Sequence, residues 1–210
     1  MTQTPETTNH RALLVVDVQP TFCEGGALAV AGGDDVARAV AEHAAAHRDA
    51  YDLVVTTQDW HVDPGDHFSD HPDFVDTWPP HGVAGTPEAE LHPALAELGP
   101  DASVKKGAYA AAYSGFEGTD AEGRTLETIL RDAGIDAVDV VGIAESHCVR
   151  ATALDAHGLG LATRVLTDLT VPVSPELGAA ARDELRAAGV ELSTSDQAFV
   201  APDESRSSSA

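Results

Sequence analysis

Four stretches of this 210-residue chain carry reactive side chains, three of them directly after apolar or strand-like runs. Cys148 closes Gly142-Ile143-Ala144-Glu145-Ser146-His147-Cys148, where the run Ala137 to Ile143 passes straight into a helical pattern. A thiol in the first turn of a helix faces unpaired amides and the positive end of the macrodipole, both of which favour its anion. An ordinary thiol, with a pKa of about 8.5, is only a few per cent ionised at pH 7, and the thiolate is the nucleophile. A lowered pKa is therefore expected at Cys148, with the helix start and Lys106 as its causes. Asp17 ends the first apolar run and is placed to take the thiol proton and return it to a leaving group. Lys106 is one of only two lysines, with Lys105 beside it. The plain alternatives are a strand-end carboxylate capping a loop, a surface ammonium and a small buried thiol. Cys23, in the loop after the first run, is read as the last of these.

Asp59, His61, His67 and His81 form a second set. On extended backbone, residues two apart share a face, so Asp59 and His61 can approach one ion together. Pro64-Gly65 turns the chain back towards His67, and Trp78-Pro79-Pro80-His81 adds a rigid segment. Imidazole and carboxylate without thiolate suit one divalent ion (Zn, Fe or Mn) with positions left open. The alternative is a solvated histidine-rich loop, to which His71 and His92 are assigned.

The elements that must hold these groups follow from periodicity. Ala12–Val16, Leu53–Thr57, Ser103–Lys105, Ala137–Ile143, Thr163–Leu166 and Val190–Leu192 read as strands. Helical patterns alternate with them: Val36–Arg48 capped by Asp34, Thr125–Ala133 ended by Gly134, His147–His157 closed by Gly158, and Pro175–Ala188 capped by Ser174. The alternation predicts an α/β fold, a doubly wound and mostly parallel sheet flanked by helices. In such a sheet the site lies beyond the carboxyl ends of the strands, with Asp17 and Lys106 expected at neighbouring strand ends. The irregular stretch 58–100 is too long for an ordinary loop and is expected to be functional. One domain is expected over residues 11–196, with a flexible N-terminus (1–10) and a flexible tail (197–210).

Charge excludes several classes. Twelve Lys+Arg against 35 Asp+Glu leave a net charge of −23, which repels phosphate backbones and anionic membranes. No nucleic-acid or membrane partner is expected; a small neutral ligand is. With 43% hydrophobic and 22% charged residues the chain can build a core. Without a signal segment or an apolar run of about 20 residues, and with only two cysteines, it is expected to be cytoplasmic with free thiols.

Taken in order, Asp17-Val18-Gln19, Asp59-x-His61 with His67, Lys106-Gly107 and His147-Cys148-Val149 resemble the nicotinamidase/pyrazinamidase group of the isochorismatase-like cysteine hydrolases. The likeness runs from about Arg11 to Leu192. It includes Phe22-Cys23-Glu24-Gly25-Gly26, Trp78-Pro79-Pro80-His81 and Tyr113-Ser114-Gly115-Phe116-Glu117-Gly118. The resemblance implies a three-layer α/β/α fold and hydrolysis of nicotinamide, and of pyrazinamide-like analogues, to the acid and ammonia through a thioester, by a monomer or homodimer. It implies a triad of Cys148, Asp17 and Lys106, and a metal held by Asp59, His61, His67 and His81 that binds the pyridine nitrogen. It also implies an oxyanion hole from the amides of Ala144 and Cys148, a cis peptide between Ile143 and Ala144, and a substrate pocket of Phe22, Trp78, Tyr113, Ile143 and Ala144. Pro20-Thr21 and Ser146 depart from the family pattern, where Asn-Asp and an acidic residue are common. The rival readings are a carbamoyl or ureido hydrolase of the same fold, which generally lacks the metal set, and a non-catalytic small-molecule sensor, which needs no complete triad.

Overall fold

The computed structural model describes residues 10–199. Six strands form one sheet: β1 (Arg11–Val16), β2 (Leu53–Asp59), β3 (Ala102–Lys106), β4 (Ala137–Ile143), β5 (Ala162–Val171) and β6 (Glu191–Ser193). Their order is β3-β2-β1-β4-β5-β6 and every pair is parallel. The chain winds outwards from β1 to β3, then returns to the other side of β1 with β4. The order therefore reverses between β1 and β4, and in an open parallel sheet the crevice outside that reversal is where ligands bind.

Five helices flank the sheet: α1 (Gly33–Ala46), α2 (Leu126–Asp132), α3 (Arg150–Gly158), α4 (Pro175–Ala188) and the short α5 (Ser195–Ala198). Alternation along β1 divides the core into two layers. Leu14 and Val16 pack with α2, α3 and Leu185 of α4, whereas Leu13 and Val15 pack with Val36, Ala37 and Val40 of α1. Both faces are thus covered, which explains why β1 reads as a continuous apolar run and β4 as one interrupted only by Asp139; each fully buried Val or Leu there contributes about 1.5–3 kcal/mol.

Local details differ from the expectations. The cap of α1 is Gly32, in the left-handed region at φ 91°, and Asp34 lies inside the first turn, where its charge favours the dipole. β5 extends to Val171 because its pairing with β4 resumes at Gly142–Thr170 after an irregularity. Order continues past Gln197: a capping box between Thr194 and Gln197 starts α5, and Phe199 stacks on His47 at 4.3 Å. The remaining expectation of flexible termini, 1–9 and 200–210, lies outside the described residues. No described helix is long and apolar enough to cross a membrane.

The edge strand β3 is covered by Thr119, which exchanges two backbone hydrogen bonds with Lys105 (2.9 and 3.1 Å). The Lys105 side chain is exposed and lies over the Trp60 ring at 3.1 Å from its centroid; Lys106, on the opposite face, is buried.

Candidate active site

Asp17, Asp59, Lys106 and Cys148 come from the carboxyl ends of β1, β2, β3 and β4 and meet in one buried cluster. β2 stands between β1 and β3, so Asp17 and Lys106 are not at neighbouring strand ends as expected. The four-carbon stem of Lys106 spans the intervening strand, and its register partner on β2 is Asp59. The three protons of the ammonium are directed at Asp59 Oδ1, at the carbonyl of Ala112 (3.1 Å) and at Cys148 Sγ (3.7 Å). Asp17 Oδ2 lies 2.9 Å from the same nitrogen, an ionic contact that leaves this oxygen without a hydrogen-bond donor. Asp17 Oδ1 accepts from Thr57 Oγ1 (2.6 Å). The Asp17 backbone is left-handed (φ 48°), a conformation that aspartate tolerates better than most residues.

Asp59 also faces the histidines. His61 Nδ1 donates to the Gly107 carbonyl (2.6 Å) and His81 Nδ1 to the Pro79 carbonyl (2.8 Å). Because carbonyls only accept, both rings carry their proton on Nδ1 and turn the Nε2 lone pair inwards. Each Nε2 lies 3.6 Å from Asp59 Oδ2. His67 joins them, with ligand atoms of all three rings within 4.8 Å of one another. His61 Nε2 and His67 Nδ1 are buried with no hydrogen-bond partner. Burial, with the other two rings beside it, pushes His67 down to about 4, so it is neutral at pH 7. Orphaned lone pairs and a carboxylate aimed at one space fit a divalent cation. The fixed orientation of the other ring nitrogens is the usual support of such a site.

Cys148, Asp59, His67 and His81 open into one cleft of about 420 Å³ walled by Phe22, Trp78, Tyr113, Ala144 and His147, with Asp17, Lys106 and His61 buried behind them. Trp78 Nε1 donates to the Tyr113 hydroxyl (3.0 Å), which locks the two rings together. Ile143 is fully buried in the core and does not line the cleft, contrary to expectation. The peptide joining it to Ala144 is cis. The Ala144 carbonyl accepts from the amides of His147 (3.0 Å) and Val149 (3.2 Å), passing over that of Cys148.

Residues 11–197 match the isochorismatase domain. The chain belongs to the isochorismatase family. A nicotinamidase/pyrazinamidase of Mycobacterium tuberculosis is 57% identical over 87% of this chain and 97% of that one. The nicotinamidase of Escherichia coli is 38% identical over 88% and 94% respectively. Among solved structures, the pyrazinamidase of Pyrococcus horikoshii in complex with zinc superposes with a TM-score of 0.74 at 36% identity, over 88% of this chain and 99% of that one.

The electrostatics of this isochorismatase-family site correct one expectation. Cys148 is not lowered: burial pushes its thiol well above the ordinary range, Lys106 pulls the other way, and Asp17 and Asp59 add to the rise. The helix start and one ammonium do not outweigh desolvation beside two carboxylates. Burial likewise raises Asp17, against the pull of Lys106. Lys106 stays cationic because Asp17 and Asp59 outweigh its own desolvation. Burial thus works against a preformed thiolate, and Asp17 and Lys106 are the groups that flank the Cys148 thiol.

Sequence reasoning missed the second role of Asp59 as the partner of Lys106, and the cleft walls Leu28, Val30, Phe74, His147, Val173 and Leu177. It also missed Gln19, whose amide brackets the Asp59 backbone by donating to its carbonyl (3.0 Å) and accepting from its amide (2.8 Å). Only Gln19, an amide side chain three residues after the end of β1, carried a signal. The family departures have local roles. Thr21 Oγ1 accepts from the Gly82 amide (3.1 Å), and Ser146 Oγ joins His147 Nδ1 (2.9 Å) and the Val173 amide (3.2 Å).

Gly107 allows the His61 ring its position. Its φ is +75°, and a Cβ there would stand 2.5 Å from His61 Cε1. Gly107→Ala is therefore expected to displace that ring and weaken divalent-metal affinity roughly 10- to 100-fold, with far-UV circular dichroism unchanged. Metal titration of the purified variant checks this; wild-type affinity would contradict it.

Proposed function

We propose that the chain is a metal-dependent cysteine amidohydrolase that converts nicotinamide to nicotinate and ammonia. The observation that carries this is that Cys148, backed by Lys106 and Asp17, faces the same aromatic-walled cleft as Asp59, His67 and His81, with His61 beside those two rings. The nicotinamidase and pyrazinamidase relatives support it.

Catalysis starts from the neutral thiol. As Cys148 Sγ attacks the amide carbon, its proton passes to Asp17. Lys106 holds its charge next to the developing thiolate and keeps Asp17 oriented. The oxyanion is assigned to the backbone amides of Ala144 and Cys148. Asp17 returns the proton to the departing nitrogen as the C–N bond breaks, releasing ammonia and leaving a thioester on Cys148. Asp17 then takes a proton from water, the hydroxide adds to the thioester carbon, and the C–S bond breaks. The proton returns to the sulfur. Phe22, Trp78 and Tyr113 stack around the ring and exclude water. Asp59, His61, His67 and His81 would hold the metal, which when bound supplies a Lewis-acid anchor for the pyridine nitrogen.

Ammonia release from nicotinamide, with benzamide as the control that lacks the ring nitrogen, tests this reading. Nicotinamide is expected to be turned over, with KM raised roughly tenfold or more by a chelator, equivalent to about 1.4 kcal/mol of binding. Benzamide is expected to be a poor substrate that the chelator affects little. Equal effects on both would contradict the anchoring role, and no ammonia from nicotinamide in metal-loaded protein would refute the activity.

A further inference from the structure

The carboxylate of Glu145 lies three residues before the nucleophile and takes no part in the chemistry above. It is completely buried, yet it is bound on three sides. Arg182 of α4 donates to it through Nε (2.5 Å) and Nη2 (2.9 Å), in the two-pronged geometry that suits a carboxylate. Thr170 near the end of β5 donates through Oγ1 (2.7 Å). Glu145 opens the π-helical turn Glu145–Val149 that carries Cys148, and its carbonyl accepts from the Arg150 amide. Thr170 pairs with Gly142, three residues before that turn begins. The cluster therefore ties the nucleophile turn to β5 and to α4 at its first residue.

A buried charge with one face to Arg182 is a costly way to fill space, and well-packed apolar groups would often serve stability as well or better. What the arrangement adds is direction, because three short charge-assisted bonds fix a side chain in a way that apolar contact does not. We propose that Glu145 and Arg182 are positioning residues for Cys148, acting through the turn to hold Sγ against Asp17 and Lys106. The inference rests on the reading of Cys148 as the nucleophile. Arg182 is 39% exposed at its side chain while Glu145 is at 0%, so the tie runs from the solvent-facing side of α4 to the buried base of the turn.

Arg182→Met and Arg182→Lys test it. In Arg182→Met, kcat for nicotinamide is expected to fall at least tenfold, with KM and metal content within twofold of wild type. Carbamidomethylation of Cys148 by iodoacetamide should slow in parallel, a readout that needs no substrate. Arg182→Lys keeps the charge but loses the two-pronged bond, and should recover part of both losses. Folded variants that lose only Tm, with kcat and alkylation unchanged, would make the pair a structural tie and overturn the proposal. If Arg182→Met does not fold, wild-type kcat and alkylation in Arg182→Lys overturn it, and intermediate values support it. Should wild-type protein release no ammonia, the reading of the substrate fails, while the alkylation rates still decide the positioning role.

Discussion

Cys148→Ala is expected to lower amide hydrolysis by roughly 10⁴-fold or more, because removing the attacking atom leaves only binding and oxyanion stabilisation. Folding should survive, since the loss is one sulfur at the edge of a cleft, and metal content should be unchanged. Cys23→Ala is the control. That thiol is buried among apolar groups, and burial with Asp34 and Glu24 nearby pushes it up to about 12. Burial raises both thiols, but only Cys148 has a carboxylate and an ammonium at hand and opens to the cleft. Iodoacetamide should therefore label Cys148 faster than Cys23, and nicotinate should slow that labelling. Substantial turnover by Cys148→Ala would remove the covalent route.

Asp17→Asn is expected to cost about 10²- to 10⁴-fold in kcat, because one group both accepts and donates the proton in each half-reaction. The direction of its pKa also sets the pH behaviour. Burial raises the folded carboxyl above its ordinary value, so the base form accumulates only above the usual carboxylate range. Wild-type kcat/KM should climb with pH on the acid side, and that limb should vanish in Asp17→Asn. The linkage to stability has the opposite sign. A group with a raised folded pKa contributes stability below its unfolded pKa and loses it as pH rises through the folded one. At neutral pH, Asp17→Asn should thus unfold at or above the wild-type Tm while being nearly inactive, and asparagine suits the left-handed backbone there as well. A variant that is both inactive and clearly less stable at pH 7, yet as stable as wild type in acid, would refute this account.

Much of this was legible because parallel strands buried on both faces leave apolar runs, and the polar residues that end them fall at the ligand-binding edge. Asp17, Asp59 and Cys148 were found that way, and so was the strand end that supplies Lys106. The strand order was not legible: it depends on how crossovers pack, so β2 was not anticipated between Asp17 and Lys106, nor Asp59 as a second partner for the lysine. The sign of the Cys148 shift was missed for a related reason. A helix start can be read from local pattern, but desolvation depends on how many distant segments close over the sulfur. Ile143 was assigned to the pocket through resemblance, yet its side chain points into the core and only the peptide after it reaches the site. Gly32 took the cap from Asp34 because a left-handed turn precedes α1, and no spacing rule marks that turn.

The cover over β3 leaves a practical asymmetry. Of the two lysines, Lys106 is sealed inside the catalytic cluster, so Lys105 is the one side-chain amine that a bulky acylating reagent can reach. Coupling chemistry aimed at amines would attach the protein to a support, a dye or a polymer through that edge residue, apart from the terminal amine. Because neighbouring residues of a strand face opposite ways, the graft would sit one position from the catalytic ammonium yet on the far side of the sheet. Amine coupling would therefore leave the catalytic ammonium unmodified and mark the edge of β3 without an engineered tag.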